Sequence, residues 1–230
     1  MAFPSPSGPN SSIWKLKDVW VANSGDNWPD ATFDRACFAG GSTPASNTNV
    51  IEFLTLASSG NAADFGDLTV TRSILAAGQS NSKTRGLFAA GYANHPGPGN
   101  LNTIEFITIN TTGNATDFGD LLYSPRGAAS LSSSTRGIVS GGVGNIPSQG
   151  DGSNYVFENI NFITIATTGN ASDFGNLATD NAQAAGVANS TRGLFGGGYS
   201  IPPPHSSRPS KDIVEYITIA STGNSLDFGD

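Results

Sequence analysis

The sequence predicts an all-β chain, in which one unit of short antiparallel strands is read four times behind a single short N-terminal helix. Three observations carry this. First, ten residues recur with small changes, as SSGNAADFGD (58–67), TTGNATDFGD (111–120), TTGNASDFGN (167–176) and STGNSLDFGD (221–230). Second, each copy follows a β-branched and aromatic run, the residue pattern of a strand. Third, only 13% of residues are charged and 29 of the 230 are glycine, a mix that suits short strands joined by tight turns. The recurrence also answers the question raised by D-F-G, the metal-binding tripeptide of protein kinases. A kinase uses one such aspartate beside an H-R-D loop, and this chain has no H-R-D. A motif repeated at a near-constant period is architecture before it is chemistry.

Residues 1–29 form a leader. MAFPSPSGPNSS has no charged start and no apolar run, so it does not read as a secretion signal. Ser12 suits a helix N-cap, and Ile13, Leu16 and Trp20 fall on one side of the helix that follows, with Val19 beside them. Gly25 suits its end and Pro29 closes it off. All three tryptophans, Trp14, Trp20 and Trp28, lie here. So much apolar surface on so short a segment needs a partner. The helix either plugs its own repeat domain or docks on another protein, with Trp14, Leu16, Trp20 and Trp28 as anchors.

Residues 30–230 are the repeat domain, with copies near 35–84, 85–135, 136–191 and 192–230. Each opens on a glycine-rich strand: RACFAGG from Arg35, RGLFAAG from Arg85, RGIVSGG from Arg136 and RGLFGGG from Arg192. The second strand is IEFLTL from Ile51, IEFITI from Ile104, INFITI from Ile160 and VEYITI from Val214. A Gly-Asn pair follows in every copy: Gly60-Asn61, Gly113-Asn114, Gly169-Asn170 and Gly223-Asn224. Glycine followed by asparagine fits a two-residue type II′ hairpin turn, with D-F-G opening the third strand. Small-residue strands, at 74–79, 127–132 and 182–187, lie between copies. One unit is thus four short strands, too few to bury a core without a stacked neighbour.

The copies differ in one place. The second strand's first residue and the D-F-G aspartate are 13 residues apart in every copy. From the last glycine of the opening strand to the second strand the steps are 10, 13, 18 and 16. Length therefore varies in one loop per unit: 42–49, 92–102, 143–159 and 199–212. An antiparallel sheet brings equivalent loops to one end, and function concentrates on loops held by a rigid scaffold. Tyr92, His95, Tyr155, Tyr199 and His205 supply flat faces and hydrogen bonds there, suited to a sugar or a protein groove. The alternative is length drift without contact.

Other chemistry is poorly supported. A net charge of −7 and few lysines argue against a nucleic-acid partner and an anionic membrane surface. No run is apolar enough to span a membrane. Cys37 is alone, so an intrachain disulfide is impossible, and RACFAGG reads as a buried strand. Sequons such as NAT at 114–116 read as accidents of a Ser/Thr/Asn-rich chain. Asp64, Asp117, Asp173 and Asp227 recur once per unit, so they are expected to pair with the repeated arginines or with turn amides. No metal, no cofactor and no enzymatic activity is expected.

The succession of turn, di-glycine strand, variable loop, aromatic strand, hairpin and aromatic residue, then an arginine before the next small strand (Arg72, Arg126), resembles the kelch repeat. Phe65, Phe118, Phe174 and Phe228 stand where a tryptophan is usual. The wording IEFITI–TTGNATDFGDL–STRG is similar to kelch-like repeats in virion structural proteins of tailed bacteriophages, especially marine cyanophages, over residues 33–230. The leader is similar to one found ahead of phage tail and fibre proteins. The resemblance implies a kelch-like β-propeller of about four blades with an incomplete ring, closed by a longer chain or by a partner. It implies a virion structural protein made in the host cytoplasm and present in multiple copies per particle. A tail fibre or tail-tip adhesin is the first expectation, with the leader on other virion proteins and the loops on a host-surface glycan or protein. The alternative is a capsid decoration or collar protein that contacts only virion neighbours.

Overall fold

Each glycine-rich run is a strand that pairs antiparallel with the aromatic run behind it. The computed structural model describes residues 35–77, 84–94, 99–145, 154–202 and 207–230. The expected leader helix, with Trp14, Leu16, Trp20 and Trp28, lies outside the described residues, as do His95 and His205. Among the described residues every regular element is a strand, and no helix is long and apolar enough to cross a membrane.

The first sheet holds β1 (Arg35–Ala39), β2 (Val50–Thr55) and β3 (Ala63–Asp67), in that order. The next run comprises β4 (Ala76–Ala77), β5 (Arg85–Ala89), a small hairpin of β6 (Tyr92–Ala93) and β7 (Gly99–Asn100), then β8 (Thr103–Thr108) and β9 (Thr116–Asp120). Its main sheet has the order β4-β5-β8-β9. The third run repeats the plan with β10 (Ala129–Ser132), β11 (Arg136–Ser140), a hairpin of β12 (Val143–Asn145) and β13 (Asn154–Val156), β14 (Asn159–Thr164) and β15 (Ser172–Asn176). The last is β16 (Ala185–Ala188), β17 (Arg192–Gly196), β18 (Val214–Thr218) and β19 (Leu226–Gly229). Each small-residue strand joins the main sheet that follows it in sequence, so among the described residues the first main sheet has three strands and the other main sheets four.

The D-F-G strand carries a bulge in every copy. Ile51 faces Gly66 and Glu52 faces Asp64, which leaves Phe65 as the extra residue. The same shift occurs at Ile104/Glu105, Ile160/Asn161 and Val214/Glu215. A bulge re-aims side chains. It turns Phe65, Phe118 and Phe174 into the protein, where they are buried. Each meets the aromatic of its own second strand edge-on, at 5.9 Å for Phe53–Phe65 and 5.8 Å for Phe106–Phe118.

The cores lie between sheets rather than within them. Ile51 and Phe65 of the first sheet pack with Phe88, Ile107 and Ala115 of the second. Phe118 packs with Val139, Ile163, Ile165 and Ala171. Phe174 packs with Phe195, Ile217 and Ile219. Residues Arg35–Asp230 accordingly form one compact unit.

Three sequence expectations are corrected. The tight turn after the second strand is not at Gly-Asn. Thr111 N donates to Thr108 O at 3.0 Å, ahead of Gly113, and the equivalent bonds are Ser58 to Thr55, Thr167 to Thr164 and Ser221 to Thr218. Gly113 and Asn114 instead run along the edge of the preceding sheet. Gly113 N donates to Phe65 O at 2.7 Å, Ala115 N to Asp67 O at 2.8 Å, and Asp67 N to Asn114 Oδ1 at 3.0 Å. Gly169-Asn170 does the same on Phe118 and Asp120, and Gly223-Asn224 on Phe174 and Asn176. A neighbouring strand edge offers these groups more hydrogen bonds than a local turn would.

Second, of the two partners expected for the D-F-G aspartates the repeated arginines are not one, whereas a backbone amide serves Asp227, whose Oδ1 accepts from Gly229 N at 3.2 Å. Asp64, Asp117, Asp173 and Asp227 are exposed. Arg35, Arg85 and Arg136 lie 4.6–4.7 Å over Phe53, Phe106 and Phe162. Each also donates to a carbonyl of the next sheet, at Ile109, Ile165 and Ile219, at 2.9 Å. A guanidinium does both, because its plane stacks while its edge donates. Third, Arg72 and Arg126 are not equivalent. Gly41 N bonds Arg72 O, whereas Gly91 N bonds Pro125 O and Gly142 N bonds Asn181 O, so Arg126 sits one place further on. Arg72 is fully buried in an ion pair with Glu105 and donates to Ala90 O at 3.1 Å. Burial lowers its pKa to about 10, still far above neutral, so it keeps its charge. Cys37 is half-buried against the first core, and that burial pushes its thiol pKa up.

Candidate functional site

Each variable loop joins a first strand to the antiparallel second strand of its sheet, and contacts run from each loop to the next, which gathers them at one end. They are more regular than a loop reading implies. Loop 92–102 closes on the β6-β7 hairpin and loop 143–159 on the β12-β13 hairpin. In loop 199–212 Tyr199 bridges both Ala182 and Ser210.

Adjacent loops are tied to one another. Asn47 Nδ2 donates to Tyr92 O at 2.8 Å, which links the first loop to the second. Arg126 Nη1 donates to Asn100 Oδ1 at 2.9 Å, and Asn100 Nδ2 to Val143 O at 3.4 Å, which links the second to the third. Val143 and Val156 of the third loop then share an apolar cluster with Ala182, Tyr199 and Ile201. Lys211 Nζ donates to Thr179 Oγ1 at 2.8 Å and meets the Asp180 carbonyl, which clamps the fourth loop to the linker before it.

Of the residues singled out from sequence, Tyr92, Tyr155 and Tyr199 all lie at this end, each partly buried. The Arg126 guanidinium lies 5.6 Å over the Tyr92 ring, and Arg208 lies 5.5 Å over Tyr199. A cation held over one face of a ring leaves the other for stacking and places N–H donors beside it. Tyr123 also belongs here: its hydroxyl donates to Asn159 O at 2.8 Å, and its ring is 4.7 Å from Phe157. Sequence reasoning read Arg126 only as an arginine of the repeat and missed Asn47, Asn100, Arg208 and Lys211. The signal for the last two was present, as the only cations in loop 199–212.

The opposite end carries shallow hollows beside the strand connections. One of about 310 Å³ is lined by Phe106, Thr108, Thr111, Thr112, Gly113, Asn114 and Thr116. Its counterpart of about 180 Å³ is lined by residues that include Phe174, Tyr216, Gly223 and Asn224. These follow the repeat and belong to the scaffold. Among the described residues no three histidine, cysteine, aspartate or glutamate side chains gather as a metal set. The loop end presents two tyrosine rings, each with a guanidinium over one face. No family model matches the chain, and no curated protein matches it.

Proposed function

We propose that the chain is a virion structural protein of a tailed bacteriophage, a kelch-like β-propeller that acts as a tail-fibre or tail-tip adhesin. The single observation that supports adhesion is the contrast between a repeated scaffold and four loops of unequal length at one end. The virion assignment rests on the sequence resemblance of residues 33–230. In this reading Tyr92 and Tyr199, each under an arginine, stack on a host-surface glycan or peptide, while the leader joins other virion proteins.

Replacement of residues 143–159 by the shorter 42–49 loop tests the reading. Particles should still incorporate the protein, and their adsorption to host cells should fall at least tenfold. Normal adsorption with impaired incorporation would instead place the loops against virion neighbours, as in a capsid decoration or collar protein.

A further inference from the structure

The three junctions between sheets use one set of contacts, and the two outermost sheets each expose half of that set. At every internal junction the earlier sheet supplies its D-F-G edge, its buried phenylalanine and its opening arginine. The later sheet supplies its Gly-Asn segment and the isoleucine that ends its second strand. On the fourth sheet the forward half lies open. Phe228 is 56% exposed, where Phe174 is 2% exposed. Arg192 stacks on Tyr216 at 4.6 Å as its counterparts do, yet it is exposed and has no carbonyl partner among the described residues. On the first sheet the rearward half lies open. Leu56 is 65% exposed, where its counterpart Ile219 is 1% exposed. Phe38 is exposed where Phe88 and Phe195 are buried, and Gly60, Asn61 and Ala62 are exposed as well.

The halves are complementary in detail. Gly66 is where a Cβ would lie 2.4 Å from Gly113 O, and Gly119 and Gly175 meet Gly169 and Gly223 in the same way. Gly229, the counterpart of Gly66, Gly119 and Gly175 on the fourth sheet, has nothing within 4 Å of its Cβ position, and Gly60 is the counterpart of Gly113 on the first. Both faces also show large apolar side chains on a strand edge, a combination that pairing normally covers.

We infer that the two faces bind each other between copies of this chain, first sheet onto fourth, by the contacts that the internal junctions already use. Gly60 N would donate to Phe228 O, Asp230 N to Asn61 Oδ1, and Arg192 to Leu56 O. The contact is strand addition at a sheet edge. It is head-to-tail, so it makes a closed ring if the rotation per copy closes and a filament if it does not. The argument is independent of the virion reading.

Sedimentation of the full chain over a wide concentration range tests it. The wild type should show a weight-average mass that rises above that of one chain. Leu56→Asp and Phe228→Asp should each be monomeric alone. Mixed in equal amounts, they should form a dimer and nothing larger, since the first keeps a working fourth sheet and the second a working first sheet. If Phe228→Asp loosens β19, as its lost contact with Tyr216 allows, Arg192→Glu serves as the second variant on that face, with the melting transition as the check on folding. Three results would overturn the inference: a wild type that stays monomeric throughout, a single variant that still self-associates, or a mixture that remains monomeric or grows beyond dimers. A monomeric wild type would mean that another segment or another protein covers these faces.

Discussion

At the scale of single residues, the glycine of D-F-G matters because of what lies against it. Gly119 has φ 148° and would bring a Cβ within 2.4 Å of Gly169 O; Gly229 has φ 142° and open space. The conformational cost of a side chain is nearly common to both, so the difference between them isolates the close approach of two backbones. Gly119→Ala should destabilise by about 1–3 kcal/mol more than Gly229→Ala, the usual cost of forcing atoms into a packed site. Urea unfolding of the two variants measures this, and equal losses would mean that the junction yields freely. The comparison also shows why Gly-Asn misleads as a local signal. The pair has the residue order of a hairpin turn, but its hydrogen bonds go to a strand about fifty residues earlier in the chain. A short window of sequence holds no record of that strand.

At the scale of elements, strands were legible and junctions were not. IEFITI and RGLFAAG read as strands because β-branched and aromatic residues fit a pleated surface, and β8 and β5 lie where those runs are. The bulge at Phe65 was hidden, because D-F-G looks like any short strand until its partner register is known. The arginines were legible as repeated but not as to partner. Charge suggested the aspartates, whereas the geometry gives them a ring in their own sheet and a carbonyl in the next. The loop-end tyrosines stand out from chain position alone, while the bond between Arg126 and Asn100 joins residues 26 apart within one copy, a pairing that no local pattern marks. The arginine contacts make a test. Arg136 stacks on Phe162 and donates to Ile219 O and Ala220 O, whereas Arg192 stacks on Tyr216 and reaches no described carbonyl. Lysine keeps the charge but loses the planar fork. Arg136→Lys should cost about 1–2 kcal/mol, in the range of hydrogen bonds to charged groups, and Arg192→Lys less than half of that. Thermal unfolding at matched ionic strength decides it, and a larger loss at Arg192 would show that the stack, not the bridge to the next sheet, holds the arginine in place.

At the scale of the whole molecule, the cores between sheets make this a chain of nearest-neighbour contacts. Sheets in such an array are stabilised by their own strands and by whatever flanks them. Among the described residues the second and third sheets are flanked on both sides, and the first and fourth on one. The first is poorer still, with three strands and an exposed Phe38. Local opening follows local burial, so protection from hydrogen exchange should not be uniform. At low protein concentration the amides of β11 and β14 should exchange slowest. Those of β18 should be intermediate and those of β1 and β2 fastest, with at least tenfold between the extremes. Peptide-resolved exchange with mass detection reads this directly. A single rate across all the sheets would mean that the array opens as one cooperative body and that its ends are closed in solution. The same experiment at high concentration then separates an array with bare ends from one whose ends meet. Head-to-tail contact between copies supplies the first sheet with a rear neighbour and the fourth with a forward one. It should slow exchange in β2 and β19 while leaving β11 and β14 unchanged. Leu56→Asp, which blocks the rear face, should abolish that concentration dependence without altering the low-concentration pattern.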